Sequence, residues 1–318
     1  MLTVLFATRN GERVLPAVLE SYCALLPPPG GWKLVVVDNG SSDGTKDAVM
    51  AFRQRLPLTY LFQPTPGKNA ALNTGLASVS GDLVVLTDDD VFPRPDWLCE
   101  MRATADAHPG FSIFGGVVLP RWEVPPAEWI LTWVPLECVY TISTPYRADG
   151  PTAPNVITGP NMAVRADVFQ AGYRFNPAIG PRGKRYAMGS ETEFVMRVVN
   201  AGYAAWHSPR PVVEHFVRET QLQRAWIFAR AIRFGRGMHR LGVNQSARTP
   251  KWLGVPRWLF RALLRNAIGM ARASLAGDPE RRFRSHWEFN YLLGQIMEAR
   301  LIHREARLTR GLIEGDAG

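Results

Sequence analysis

Three consecutive aspartates, Asp88, Asp89 and Asp90, follow the apolar run Leu83 to Leu86 in the stretch GDLVVLTDDDV. Carboxylates this close repel one another, and such crowding persists in a folded chain when a cation, arginines or solvent relieves it. In extended backbone Asp88 and Asp90 project to one side and Asp89 to the other, so the first and third can share a divalent metal and a diphosphate bound to it. A solvated acidic turn is the competing reading.

The elements that must hold these carboxylates are legible around them. The run Leu83 to Leu86 is short and β-branched at its centre, which fits a strand buried on both faces of a parallel sheet. Leu2 to Thr8, Leu34 to Val37 and Leu58 to Phe62 read as three further strands. Between them, Gly11 to Leu26, Lys46 to Arg55 and Gly67 to Ser78 carry helical spacing or follow turn-forming residues. Alternating strands and helices with right-handed crossovers build a parallel α/β sheet, in which ligands bind beyond the carboxyl ends of the strands. Asp38 and the three aspartates occupy such ends. From Ala105 to Asn155 the pattern is irregular, with a strand expected near Val117 to Leu119. The tryptophans there, Trp129 among them, either stack on the apolar faces of a ligand or pack on the sheet. Further on, Ser190 and Glu193 in GSETEFVMRVVN form a capping-box pattern at the start of a helix.

The chain has 318 residues, 46% of them apolar and 20% charged, a globular composition with room for one large domain and an extension. Its net charge of +9 is uneven: residues 1 to 215 hold 18 Lys and Arg against 20 Asp and Glu, and residues 216 to 318 hold 19 against 8. That −2 and +11 division points to a polyanionic or membrane-surface partner for the last third alone. Arg257, Arg261, Arg265 and Arg272 share one face of an expected helix, able to lie on an anionic membrane or to stay in water while the apolar side packs. Another helix is expected from Trp287 to Arg310. The three cysteines follow no metal or redox spacing and read as core thiols in a reducing compartment. With no signal-peptide pattern and no uncharged run of bilayer length, the expected location is cytoplasmic, at most peripheral on the inner face of the cell membrane.

Several segments together resemble the inverting family 2 glycosyltransferases of the GT-A type: ATRNGE at Ala7 to Glu12, VVVDNGSSDGT at Val35 to Thr45, GKNAALNTGL at Gly67 to Leu76, LTDDDVFPRPDWL at Leu86 to Leu98 and TGPNMAVRADVF at Thr158 to Phe169. The resemblance implies a GT-A, Rossmann-like nucleotide-diphospho-sugar transferase fold over residues 1–220, with a donor-binding half to about residue 100 and an acceptor half beyond it. Residues 221–318 would be a basic helical extension. It implies that Asp38 meets the nucleobase, that Thr8 and Glu12 line the base and ribose pocket, and that Lys68, Asp88 and Asp89 also contact the donor. Asp90, with Asp88 and His215, would hold Mn2+ or Mg2+. Arg182, Arg185 and Arg218 would close over the diphosphate, and Asn161 and Trp129 would meet the acceptor. Where the family has an acidic pair, this chain has Ser190 and Glu191, which makes Glu191 the expected base and Glu193 its reserve. The segment Val212 to Phe216, VVEHF, places His215 after a short strand.

The implied reaction moves a sugar from a nucleoside-diphosphate donor, UDP-linked on this reading, to a hydroxyl of a glycan or lipid-linked saccharide. A sugar-phosphate nucleotidyltransferase is the rival enzyme, although RNGER at Arg9 to Arg13 makes a poor cradle for a triphosphate. An RNA- or polyanion-binding protein is the non-enzymatic rival, but the basic third carries no nucleic-acid motif and no nucleic-acid partner is expected.

Overall fold

The computed structural model describes residues 1–143, 147–183, 186–242 and 248–315, with side chains as far as residue 308. Two compact units divide the chain: Met1–Val124, Leu136–Gly183 and Ser190–Arg218 form the first, and Pro125–Pro135, Lys184–Gly189 and Glu219–Gly318 the second.

The first unit is built on strands β1 (Leu2–Thr8), β2 (Trp32–Asp38), β3 (Leu58–Phe62) and β4 (Leu83–Leu86), parallel and in the order β3-β2-β1-β4. Helices α1 (Leu15–Cys23), α2 (Thr45–Met50) and α3 (Lys68–Leu76) connect them. Side chains alternate across the sheet as the pleat requires. Val4, Phe6 and Val36 enter one core with Leu15, Val18 and Leu19 of α1, while Leu5, Val35 and Val37 enter the other with Ala71 and Leu72 of α3. Each fully buried Leu, Val or Phe contributes about 1.5 to 3 kcal/mol of transfer free energy. Apolar demand on both faces therefore fixes the strand, and polar residues begin where it ends.

The sheet continues through β5 (Val91–Pro93), β6 (Ile113–Trp122), β7 (Gly150–Pro151), β8 (Met162–Arg165) and β9 (Ala205–Val217). β8 runs antiparallel between β4 and β6, β9 is parallel to β6, and β5 and β7 pair antiparallel with β9. Helices α4 (Trp97–Ala107), α6 (Leu136–Tyr140), α7 (Ala166–Gln170) and α8 (Ser190–Asn200) belong to the same unit, whereas α5 (Glu128–Trp133) belongs to the second.

Two sequence expectations are corrected here. The first helix begins at Leu15, because Gly11 to Val14 form a turn in which Gly11 O accepts from both Val14 N and Leu15 N. His215 lies inside a strand of 13 residues and not after a short one, because β9 pairs along β6 and then with β5, contacts between distant segments that local pattern does not carry. The three cysteines, expected as core thiols, are half-buried, with Cys23 packed against the core.

The second unit contains α9 (Arg224–Arg240), a hairpin of β10 (Lys251–Trp252) and β11 (Val255–Pro256), α10 (Arg257–Leu275) and α11 (Pro279–Gly315). Helices α9 and α11 meet backbone to backbone: a Cβ on Gly235 would lie 1.9 Å from Tyr291 O, and one on Gly294 would lie 2.1 Å from Ile232 O. Beside this crossing, Glu298 is completely buried and accepts from Arg236 Nε at 2.6 Å and from Arg240 Nε. No helix among the described residues is long and apolar enough to cross a membrane.

Removing one partner of a buried ionic cluster leaves uncompensated charge, at a cost of about 3 to 5 kcal/mol. Glu298→Ala should therefore lower the urea midpoint by that equivalent. An unchanged midpoint would mean that Arg236 and Arg240 are satisfied without Glu298.

Candidate active site

The carboxyl ends of β1, β2 and β4 meet at one edge, with Thr8 level with Asp38 in the register and Leu5 level with Leu86. Two loops are stapled together above them. Gly11 N donates to Thr45 Oγ1 at 2.8 Å, Ser42 N to Asn10 Oδ1 at 2.9 Å, and Gly44 N to Glu12 Oε2 at 3.1 Å. Asn10 adopts a positive φ of 55°, a left-handed conformation that asparagine tolerates better than most residues.

Asp38 is buried and holds the loop after β2, accepting from Ser41 N at 2.8 Å through Oδ1 and from the Tyr60 hydroxyl at 2.8 Å through Oδ2. Each carboxylate oxygen keeps a further lone pair. Neighbouring Asn39 organises the approach to α3: its amide donates to Gln63 O and Thr65 O and accepts from Gly67 N at 2.7 Å. Gly67, at φ 142°, then delivers Lys68 as the first residue of the helix. Asn73, further along α3, pins Phe175 through both its amide atoms.

The three aspartates point in the separate directions expected, although Asp89 and Asp90 lie in a turn and not in extended backbone. Asp89 turns to Thr8, whose hydroxyl donates to Asp89 Oδ2 at 2.6 Å. Asp88 turns to the Lys68 ammonium, and Asp90 to His215 and Arg218, with Nε2 of His215 3.2 Å from Oδ1 and the guanidinium 3.3 Å from Oδ2. The meeting of Asp90 with His215 follows from strand pairing: Val91 lies opposite His215, and Phe216 N donates to Asp90 O at 2.8 Å. Burial and the Asp90 charge push the Asp89 carboxyl up to about 7. Burial also works against the Asp90 charge, but His215 and Arg218 outweigh it and hold its pKa below the ordinary range.

Ligand atoms of Asp88, Asp90 and His215 all lie within 4.8 Å of one another. His215 Nδ1 sits 2.6 Å from Tyr140 O, so Nδ1 carries the proton toward the carbonyl and Nε2 faces Asp90. Two carboxylate oxygens and an imidazole nitrogen whose other nitrogen is fixed by a carbonyl suit a divalent cation.

Lys68 joins this cluster to α8. Its ammonium bridges Asp88 and Glu191 Oε1, the latter at 2.7 Å. Ser190, the first residue of α8, donates its hydroxyl to Glu191 Oε2 at 2.7 Å, and a Cβ on Gly159 would come within 2.7 Å of the Glu191 side chain. The hydroxyl expected to cap the helix thus holds Glu191 instead, and Gly159 leaves room for it. Burial raises the Glu191 pKa, but Lys68 and the hydrogen bonds oppose burial and leave it below the ordinary value. Glu193 is turned away onto Arg197, at 2.9 Å.

Other expected site residues fall elsewhere. Asn161 is completely buried, accepting from Trp97 Nε1 and donating to Val117 O and Pro211 O, each at 2.9 Å; it ties strands together and does not line the site as expected. Trp129 belongs to the second unit, packed with Trp133 and Phe283 and covered by Arg224. Arg182 is exposed, one residue after Pro181, whose carbonyl accepts from Lys68 N. Arg185 lies outside the described residues. Tyr60, Asn39 and the Tyr140 carbonyl were not anticipated, and no local pattern marks them.

Residues 3–172 match the model of glycosyl transferase family 2. The chain belongs to that family. It is 26% identical over 209 residues to glycosyltransferase AglE of Haloferax volcanii, covering 64% of this chain and 62% of the relative. It is also 28% identical over 120 residues to an undecaprenyl-phosphate 4-deoxy-4-formamido-L-arabinose transferase of Salmonella paratyphi A, covering 36% of each. The match therefore spans less than two thirds of either relative's length. Among solved structures, a Pyrobaculum calidifontis mannosyltransferase in complex with GDP-Man and Mn2+ aligns over 94% of this chain and 86% of its own, with TM-score 0.61 and 21% identity. The fold is GT-A, as the sequence motifs led one to expect.

The environment of Glu191 is directly testable. Its lowered pKa contributes stability that is present above the ordinary carboxylate range and lost as pH falls through the folded value. In Lys68→Met, burial acts with less opposition and the pKa should rise, as read by carboxylate NMR titration. An unmoved pKa would remove Lys68 as the cause.

Proposed function

We propose that the protein is an inverting glycosyltransferase that moves a sugar from a nucleoside-diphosphate donor to a hydroxyl of a glycan or lipid-linked saccharide. The observation that carries this reading is the chain Asp90, Asp88, Lys68, Glu191, which sets a candidate base beside a candidate cation site at the carboxyl edge of a nucleotide-binding type of sheet. Membership of family 2 and a relative named for an undecaprenyl-phosphate acceptor support the reaction class and the acceptor class.

In this proposal Asp38 accepts an N–H of the donor base, uracil being the expected one, while Thr8 and Glu12 border the base and ribose and Asp89 borders the donor beside Thr8. Asp88, Asp90 and His215 would hold Mn2+ or Mg2+, which when bound neutralises charge on the departing diphosphate. Arg218, already on Asp90, and exposed Arg182 supply cationic donors to that diphosphate. Lys68 has a second role beyond contact with the donor: it keeps Glu191 ionised at neutral pH. Glu191 then takes the proton of the acceptor hydroxyl as its oxygen bonds to the anomeric carbon. The bond from that carbon to the diphosphate oxygen breaks on the opposite face, its electron pair leaves with the nucleotide, and the configuration inverts.

Glu191→Gln preserves shape but cannot accept the proton. Transfer should fall on the order of a hundredfold to ten-thousandfold, while donor binding is retained. Near-normal transfer would exclude Glu191 as base. Asp90→Ala should separately abolish the Mn2+ dependence of donor binding, measured by thermal shift. Metal-dependent binding that survives in that variant would take Asp90 out of the cation site.

A further inference from the structure

The 58 residues from Thr220 to Gly277 contain 11 Lys and Arg and no Asp or Glu. Within them, α10 turns two kinds of side chain outward. Leu264, Ile268 and Leu275 are exposed, Leu264 at 62% and Leu275 at 90%. Arg257, Arg261, Arg265 and Arg272 are exposed as well. At 100° per residue the three apolar side chains fall within about 40° of one another, and the arginines spread from the centre of that strip to one flank. The opposite face, through Leu259 and Ala273, is buried. The core-facing requirement of the helix is thus already met, and the second apolar strip is surplus to folding.

The hairpin before the helix repeats this arrangement. Trp252, 59% exposed, and exposed Leu253 form its tip. Leu253 and Gly254 are the two turn residues, with φ of 49° and 78°. Such a turn favours Asn-Gly, and a leucine there is strained. Gly254 is seated so closely on α11 that a Cβ would lie 2.4 Å from His303, so the tip is held in place with its apolar pair outward. An outward leucine at a position better suited to asparagine indicates a use outside the fold.

We propose that α10 and the 251–256 hairpin dock on an anionic phospholipid bilayer, with Trp252, Leu253, Leu264, Ile268 and Leu275 entering the interface and the arginines meeting lipid phosphates. Charge complementarity selects the occupant: an acid-free segment with arginines flanking an apolar strip suits a negatively charged surface that also accepts apolar side chains. Trp252 is suited to the headgroup level, and the arginine stems can lie along the boundary with their guanidinium groups in water. This inference deepens the proposal of a lipid-linked acceptor, yet vesicle binding is read without any transfer assay.

The test is flotation of the full chain with vesicles of phosphatidylcholine containing phosphatidylglycerol, against phosphatidylcholine alone. Binding should require the anionic lipid. The combined Arg261→Gln, Arg265→Gln and Arg272→Gln variant should weaken it on the order of a hundredfold, and Leu264→Ser with Ile268→Ser should weaken it at least tenfold. Leu253→Asn should keep or raise the melting midpoint while weakening vesicle binding, which a purely structural role for the leucine would not produce. Absence of binding to anionic vesicles, equal binding to neutral ones, undiminished binding in these variants, or a dimer dissociated by Leu264→Ser with Ile268→Ser would each overturn the proposal. Any of these results would leave nucleoside-diphosphate binding as it was; loss of nucleotide binding with vesicle docking intact would instead count against the transferase reading.

Discussion

The crowding of Asp88, Asp89, Asp90 and Glu191 is the constraint on which the first unit turns. Like charges at this separation in a partly dry crevice cannot all remain ionised without cations. Lys68 answers for two of them, bridging Asp88 and Glu191, while His215 and Arg218 answer for Asp90. Asp89 accepts from the Thr8 hydroxyl, but burial and the Asp90 charge outweigh this and move it toward protonation, to about 7. The electrostatics thus divide the carboxyl groups into roles: Asp88 and Asp90 at the candidate cation site, Asp89 pushed toward protonation, and Glu191 kept ionised at the start of α8.

That division rests on backbone geometry more than on side-chain choice. The ends of β1, β2 and β4 bring Thr8, Asp38 and the aspartates to one edge. Antiparallel pairing of β5 with β9 then carries His215 to Asp90 across more than a hundred residues of chain, and buried Asn161 locks the turn before β8 to Val117 and Pro211. Small residues finish the arrangement: Gly159 admits Glu191, and Gly67 orients the first turn of α3.

The parts legible in the sequence were those with a local physical signature. Leu2–Thr8, Leu58–Phe62 and Leu83–Leu86 emerge as strands with their observed limits, since the first and last are apolar on both faces, the half-buried edge strand is rich in β-branched and aromatic residues, and turn residues punctuate all three. The separate directions of Asp89 and of Asp88 with Asp90 match the alternation expected of extended backbone, although Asp89 and Asp90 lie in a turn beyond the end of β4. Only short pieces of β6 and β9 were legible, near Val117 to Leu119 and Val212 to Phe216, because their full length depends on non-local pairing that no short window contains. The capping-box pattern at Ser190 misled for a related reason: the hydroxyl found a nearer acceptor in Glu191. Lys68, 123 residues from Glu191, has no periodicity that foretells the bridge. Asn161 was expected at the site from the resemblance of TGPNMAVRADVF to a family segment, and it is instead an internal fastening.

The measurement that tests the central claim most directly is calorimetric titration of the wild-type protein with UDP and with GDP, each in the presence and absence of Mn2+. The account predicts binding of one nucleotide that depends on the metal, with the carboxylates at the end of β4 relieved by the cation. Binding of neither nucleotide, or binding indifferent to metal, would contradict it.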